Sequence, residues 1–259
     1  GHGGSLNTRI KEFVRPALDN QSIRMAVRDY LVGVASKRRI VEKYGEISNW
    51  DVSNVTDMAW MFDDAHSFNQ PLNNWNVSKV TEMEGMFTHA FSFNQPLNNW
   101  NVSKVHQMHQ MFWRAYSFNQ PLNNWNVSNV KNMHGMFAME GIFTHVESFN
   151  QPLNNWNVSN VTDMSYMFDD ATSFNQPLNK WNVSKVTNMR WMFSGATSFN
   201  QPLNNWNVSK VTNMHNMFWR AYSFNQPLNK WNVSNVTDMS FMFGLCDSFN
   251  QPLHAPWYA

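Results

Sequence analysis

The chain has little of what marks the common enzyme and membrane-protein classes. Its 259 residues contain one cysteine and ten glycines, so no internal disulfide framework can form. It has no glycine-rich phosphate loop, no G-x-S-x-G elbow and no H-E-x-x-H motif. No apolar run approaches the roughly 20 residues of a membrane helix, and the formal net charge is only +1. We therefore expect no catalytic activity, no membrane span and no globally charge-driven partner.

What the chain does have is one phrase, SFNQPLNNWNVS, that recurs almost unchanged. Its framework tryptophans lie 25 residues apart, except for one interval of 31 residues between Trp125 and Trp156. These tryptophans mark eight repeats: Trp50, Trp75, Trp100, Trp125, Trp156, Trp181, Trp206 and Trp231. The fourth repeat carries a six-residue insertion, residues 138–143. A fixed period indicates a stack of similar units, each burying its apolar face against the next.

Within one repeat, the apolar pattern predicts a strand followed by a helix. In the fifth repeat, Trp156 and Val158 alternate with polar residues, as a half-buried strand does. After Ser159, a candidate N-cap, the apolar residues are spaced by 3, 3, 1 and 3 positions, which is typical of one helix face. They are Val161, Met164, Met167, Phe168 and Ala171. The recurrent Asn and Gln side chains are predicted to form ladders along the stack.

These patterns predict an α/β solenoid of eight strand-helix units with a helical N-terminal cap. Ser22 is predicted to begin the cap helix and Gly45 to end it. Cys246 stands where six other repeats have alanine, so we expect a small buried apolar residue there. The predicted divisions are an expression remnant at 1–5, the cap at 6–46, the repeats at 47–253 and a C-terminal cap at 254–259.

The repeat L-x-x-W-x-V-S-x-V-x-x-M-x-x-M-F-x-x-A-x-S-F-N-Q-P covers residues 45–253. It resembles the BspA-type leucine-rich-repeat surface proteins, a variant repeat also common in mycoplasma lipoproteins. The resemblance implies a right-handed leucine-rich-repeat-like stack with its strands on one face. It also implies a binding role at a bacterial-type cell surface or in secreted form, although the sequence shows no signal peptide.

The positions that vary between repeats carry many aromatic residues. On a helical wheel, Trp113 and Tyr116 share one flank, and large aromatic surfaces of this kind are typical of interaction sites. Packing of these rings against neighbouring repeats is the alternative. The candidate ligand-binding residues are Trp60, Trp113, Arg114, Tyr116, Tyr166, Trp191, Trp219, Arg220, Tyr222 and Phe241.

Three histidines form the candidate metal site. His106 and His109 lie three residues apart, and His134 occupies the register of His109 in the next repeat. Imidazole ligands suit zinc or a related divalent ion. Ordinary surface histidines are the alternative that we favour, and we expect no cofactor.

The leading hypothesis is a monomeric, non-enzymatic adhesion or binding scaffold for a protein or a glycan. A modular reader of single-stranded nucleic acid is an alternative, because aromatic and arginine side chains stack on bases. Residues 50–259 hold ten Lys/Arg against thirteen Asp/Glu, a net charge of −3 that does not favour nucleic acid. A structural spacer or lattice element without a ligand is the third possibility.

Overall fold

The computed structural model describes residues 15–139 and 149–253. Helix α1 (Asn20–Val32), helix α2 (Val34–Tyr44) and a 3-10 turn (Ile47–Asn49) come first. From Trp50 onward the described chain winds through eight coils, each beginning at a framework tryptophan, with no helix and no strand. The prediction of strand-helix units, and with it the leucine-rich-repeat type of solenoid, is therefore wrong. The predicted segments 1–5 and 254–259 and part of the insertion, 140–143, lie outside the described residues.

Backbone hydrogen bonds explain why the predicted helix does not form. In the first coil, the N–H groups of Met58, Trp60, Phe62 and Asp64 donate to carbonyls of the next coil at 2.9–3.0 Å. An intervening N–H closes a tight turn instead, as where Ala65 donates to the carbonyl three residues back at 3.1 Å. A helix would direct these donors to the carbonyl four residues back. The segment is thus a series of β-turns bonded to its neighbours.

Each turn series contains residues with left-handed backbone, and the sequence does not mark these positions with a recurrent glycine. Tyr166 and Asp170 have φ values of 58° and 53°, and in the next coil Trp191 has 58°. Glycine is the usual residue at such a position, and a side chain there costs about 1–2 kcal/mol. Because non-glycine residues occupy most of these positions, the turns could not be predicted from glycine. Apolar spacings of 3 and 4 therefore resembled a helix face.

Parallel pairing between coils is limited to one residue per coil in the described chain. Asp163, for example, bridges to Asn132 on one side and Asn188 on the other. This column lies inside the segment predicted as helix, whereas the predicted strand at Trp156 and Val158 is irregular chain between turns at 154–155 and 159–160. The bridging residues are Asp57, Glu82, Gln107, Asn132, Asp163, Asn188, Asn213 and Asp238.

Three columns of aromatic rings run through the core. The framework tryptophans are buried with 2–3% exposure, and rings such as Trp156 and Trp181 stack at 6.4 Å. The indole N–H of Trp181 donates to the Leu153 carbonyl at 3.0 Å, so the ring is buried without losing its hydrogen bond. Two phenylalanine columns run alongside, with Phe168 and Phe174 in contact at 4.0 Å. The expected burial of the framework tryptophans is confirmed.

Side-chain ladders also follow the stack, as predicted. The Asn175 Oδ1 accepts from the Asn200 N–H at 3.0 Å and from the Gln201 Nε2 at 3.0 Å. Cys246 is buried, also as predicted, and its Sγ donates to the Ala221 carbonyl at 3.1 Å.

The N-terminal helices differ in detail from the prediction. Asp19, not Ser22, caps α1, and Ser22 completes a capping box. Gly33 interrupts the predicted continuous helix, and Val34, the first residue of α2, is 88% exposed. The predicted end at Gly45 is confirmed.

Helix α1 takes the place that a preceding coil would fill. The Asn20 Oδ1 accepts from the backbone N–H of Thr56 at 2.8 Å, whereas the equivalent Thr81 donates to the carbonyl of the preceding coil. Tyr30 packs edge-to-face on Trp50 at 5.8 Å. The helix therefore covers both the apolar end of the core and its open hydrogen-bonding groups.

Candidate functional site

Four predicted aromatic candidates from four coils meet on one surface. Trp113 lies 6.4 Å from Tyr166, Tyr166 stacks on Trp191 at 5.7 Å, and Trp191 lies 5.7 Å from Trp219. All four side chains are partly exposed. We call these four residues the aromatic cluster.

The turn series explains how the aromatic cluster forms. Tyr166 and Trp191 occupy the same left-handed position in successive coils, and Trp113 and Trp219 lie three residues beyond that position in their own coils. Because the coils are bonded in register, Tyr166, Trp191 and Trp219 of three successive coils come within ring contact. Trp113 of the third coil extends past the fourth coil to reach Tyr166 of the fifth.

Two arginines contact the aromatic cluster. The Arg190 guanidinium lies 5.2 Å from the centre of the Tyr166 ring, and that of Arg220 lies 4.6 Å from the Trp219 ring. Both arginines are exposed at the surface, in positions suited to cation–π contact. Arg220 was a predicted candidate. Arg190 was missed, although it was visible as the large cation on the variable flank of its repeat.

A histidine lies within the same surface and is held neutral. The His134 Nδ1 lies 2.8 Å from the Ser165 Oγ, and its ring meets Tyr166 edge-on at 5.3 Å. Burial lowers the pKa of His134 below its ordinary value, because a low-polarity environment disfavours the charged imidazolium. At neutral pH this histidine therefore contributes a polar, uncharged ring.

Some of the exposed aromatics pack on a glycine of the next coil. The Trp113 ring lies against Gly135, where an added Cβ would sit 2.5 Å from the Cε3 of Trp113. Trp60 lies against Gly85 in the same way. The alternative that these rings stabilise neighbouring coils thus has support, while Trp60 remains 42% exposed.

The remaining predicted candidates are not members of the aromatic cluster, although the His215 ring lies 5.9 Å from Trp191 and 6.3 Å from Phe241. Tyr116 stacks on Phe91 at 4.9 Å, outside the aromatic cluster. Tyr222 and Phe241 are exposed, at 40% and 71%, and the half-buried Arg114 has a left-handed φ of 55°.

The predicted metal ligands have other neighbours. His134 contacts Ser165, and the His109 ring lies 6.5 Å from that of Trp60. Over residues 15–139 and 149–253, the ligand atoms close enough together to hold an ion belong to Asp63, Asp64 and His89. No described helix has the length and hydrophobicity needed to cross a membrane.

Comparison with protein families finds a match over nearly all of the repeats. Residues 34–140 and 138–257 each match the family described as "Mycoplasma protein of unknown function, DUF285". Each match spans about half of the eight coils, and together they cover residues 34–257. Comparisons with curated proteins and with solved structures give no significant match. The resemblance to BspA-type proteins remains a prediction.

Proposed function

The chain belongs to the DUF285 family, and we propose that it is a non-enzymatic binding scaffold. The proposed ligand is an extended glycan or peptide that lies along the coils and contacts the aromatic cluster. The observation that carries this proposal is the contiguous, partly exposed row from Trp113 to Trp219.

The chemistry of this surface supports recognition of a ligand with both apolar and polar groups. Aromatic and arginine side chains are enriched at the residues that dominate binding energy. The exposed Arg190 and Arg220 can donate hydrogen bonds to carbonyl, hydroxyl or carboxylate oxygens. The partly exposed rings offer apolar contact to sugar C–H groups or to peptide side chains. One ligand chain could therefore make several similar contacts in successive coils.

The backbone supports the proposal by holding these side chains in place. In the fifth coil the N–H groups of Tyr166 and Asp170 donate to the sixth coil at 2.9 and 2.7 Å. The Tyr166 ring also lies between Trp113 and Trp191. Binding would then cost little conformational entropy, because the surface is already ordered before the ligand arrives.

The test is a double variant, Tyr166→Ala/Trp191→Ala, compared with wild type on an oligosaccharide array and on a peptide array. We expect at least about a tenfold loss of affinity for the ligand class that wild type binds. Trp60→Ala is the matched control, because it removes an exposed indole of the first coil. It should leave binding unchanged.

Three results would count against the proposal. Wild type could bind nothing on either array, which would favour a structural element. The double variant could bind as well as wild type, which would place the site elsewhere. Wild type could bind only oligonucleotides, with an affinity that falls steeply with salt, which would favour a nucleic-acid reader. Thermal unfolding of each variant separates loss of binding from loss of folding.

A further inference from the structure

A second group of side chains lies at the opposite end of the coils from Trp219, beside the N-terminal helices. Two carboxylates and two imidazoles meet there. The His89 Nδ1 lies 3.0 Å from the Asp64 Oδ1 and 3.6 Å from the Asp63 Oδ1. The His66 Nε2 lies 3.6 Å from the same Asp64 Oδ1.

These separations fit the edges of a small coordination sphere. A tetrahedral zinc ion with ligand bonds of about 2.0–2.1 Å holds its ligand atoms about 3.3–3.4 Å apart. The three separations, 3.0, 3.6 and 3.6 Å, lie on either side of that value. The ligand atoms of Asp63, Asp64 and His89 all lie within 4.8 Å of one another. His66 contacts Asp64, and its side chain would have to rotate toward the other two residues to become a fourth ligand. Zinc accepts this mixture of imidazole and carboxylate ligands.

The His89 ring supplies an independent observation. Its Nδ1 is buried from solvent and makes no hydrogen bond of good geometry, although it lies in ion-pair contact with Asp64 and Asp63. A metal ion between the nitrogen and the two carboxylates would bind all three groups at once.

The surroundings give an ion access to the group. A groove of about 510 Å³ opens beside it, lined by Asp63, Asp64, His66 and residues of α1 and α2 that include Tyr30 and Lys37. The Lys37 Nζ lies over the Tyr30 ring, 4.4 Å from its centre.

We infer that Asp63, Asp64, His66 and His89 form a binding site for a divalent metal ion, with zinc as the best-matched ion. This site is separate from the aromatic cluster and does not depend on the proposed function. The groove leaves room for a water molecule or another ligand on the ion.

The chain contains its own negative control. The fifth coil repeats the sequence Met-Phe-Asp-Asp-Ala, with Asp169 and Asp170 in the register of Asp63 and Asp64. Thr172 stands in the register of His66, and Gly195 stands in the register of His89. This second acidic pair lacks both imidazoles, so we expect it to bind no zinc.

The experiment is calorimetric titration of zinc into the full chain after chelator treatment. We expect one zinc ion per chain, and about a hundredfold or greater loss of affinity in His66→Ala/His89→Ala. Asp63→Asn/Asp64→Asn should show a similar loss. Asp169→Asn/Asp170→Asn makes the same chemical change in the fifth coil and should bind zinc normally. His106→Ala/His109→Ala/His134→Ala should also bind normally.

A second measurement guards against misfolded variants. Zinc should raise the unfolding temperature of wild type, because binding to the folded state stabilises it. It should not raise that of His66→Ala/His89→Ala, whose unfolding without metal shows whether it is folded. Absence of saturable zinc binding by wild type would overturn the inference. Equal binding by the double histidine variant would also overturn it, as would equal competition by magnesium, which prefers oxygen ligands.

Discussion

Replacing Gly135 with alanine tests the turn architecture and the inter-coil packing in one experiment. Gly135 has a left-handed φ of 59° and lies beneath the ring of Trp113. An alanine Cβ would lie 2.5 Å from both the Cε3 and the Cζ3 of that ring. Neither the backbone conformation nor the space available suits a side chain, so we expect a large loss of stability.

The expected magnitude has two parts. Placing a side chain at a left-handed position costs about 1–2 kcal/mol. Overpacking a filled contact costs about 1–3 kcal/mol more, because the indole must move away. Gly135→Ala should therefore lower the free energy of unfolding by about 2–5 kcal/mol, the sum of these two ranges.

The assay is urea unfolding followed by tryptophan fluorescence. Gly33→Ala is the control, since an added Cβ there meets nothing within 4 Å. It should leave the free energy of unfolding unchanged or raise it by up to about 1 kcal/mol. Combining Gly135→Ala with Trp113→Ala should recover the overpacking part while the backbone part remains. A double-mutant cycle measures that coupling.

A loss of stability in Gly135→Ala no larger than that of an ordinary surface substitution, within about 0.5 kcal/mol, would mean that residue 135 is not left-handed or that Trp113 does not lie on it. A full loss with no coupling to Trp113 would retain the backbone argument and refute the packing argument.

Three further predictions concern the core. Phe168→Ala should lower the free energy of unfolding, measured by urea titration, by about 3–5 kcal/mol, because the ring is fully buried. Phe241 is the control, since it is 71% exposed. Phe241→Ala should change the free energy of unfolding by no more than about 0.5 kcal/mol. Burial raises the pKa of the Cys246 thiol to about 12. We therefore expect thiol reagents to modify Cys246 at neutral pH only after denaturation. Rapid labelling of the native chain would contradict its burial. The unfolded thiol loses its proton near its ordinary pKa of 9.0 and the folded one near 12, so stability should fall as pH rises through this interval, and Cys246→Ala should reduce the fall.

Much of the stack could be predicted from the sequence. The constant spacing of the tryptophans indicated repeated units, and the structure places Trp156 and its equivalents in one buried column. The amide ladder through Asn175 was likewise predictable, because a polar residue at every repeat of a stacked unit needs a partner in the next one.

The local backbone could not be predicted, for a physical reason. Apolar residues three and four positions apart face the core in a helix, and they also face it in a run of four-residue turns. The decisive signal would have been a recurrent glycine, but Tyr166, Trp191 and Asp170 occupy left-handed positions. Inter-coil hydrogen bonds, such as that from the Tyr166 N–H to the Arg190 carbonyl at 2.9 Å, help to hold this backbone. Such long-range bonds leave no local trace in the sequence.

The candidate surfaces were predictable only in part. Aromatic enrichment identified Trp113, Tyr166, Trp191 and Trp219, but their meeting in one cluster depends on the in-register stacking of coils. The group around Asp64 was not predicted as a metal site. In the sequence, His66 is two residues from Asp64 and His89 is 25 residues from Asp64. A helical wheel does not place these side chains next to one another.

The same architecture explains how a uniform repeat can carry a varied surface. The bonds between coils use backbone N–H and carbonyl groups, so they persist whatever side chain the turn bears. Neighbouring coils still constrain each other where a ring lies on a glycine of the following coil, as Trp60 does on Gly85 and Trp113 does on Gly135. At these positions the variable residues of one coil are coupled to those of the next. Moving the turn that bears Trp60 or Trp113 to another coil should preserve stability only when its glycine partner moves with it.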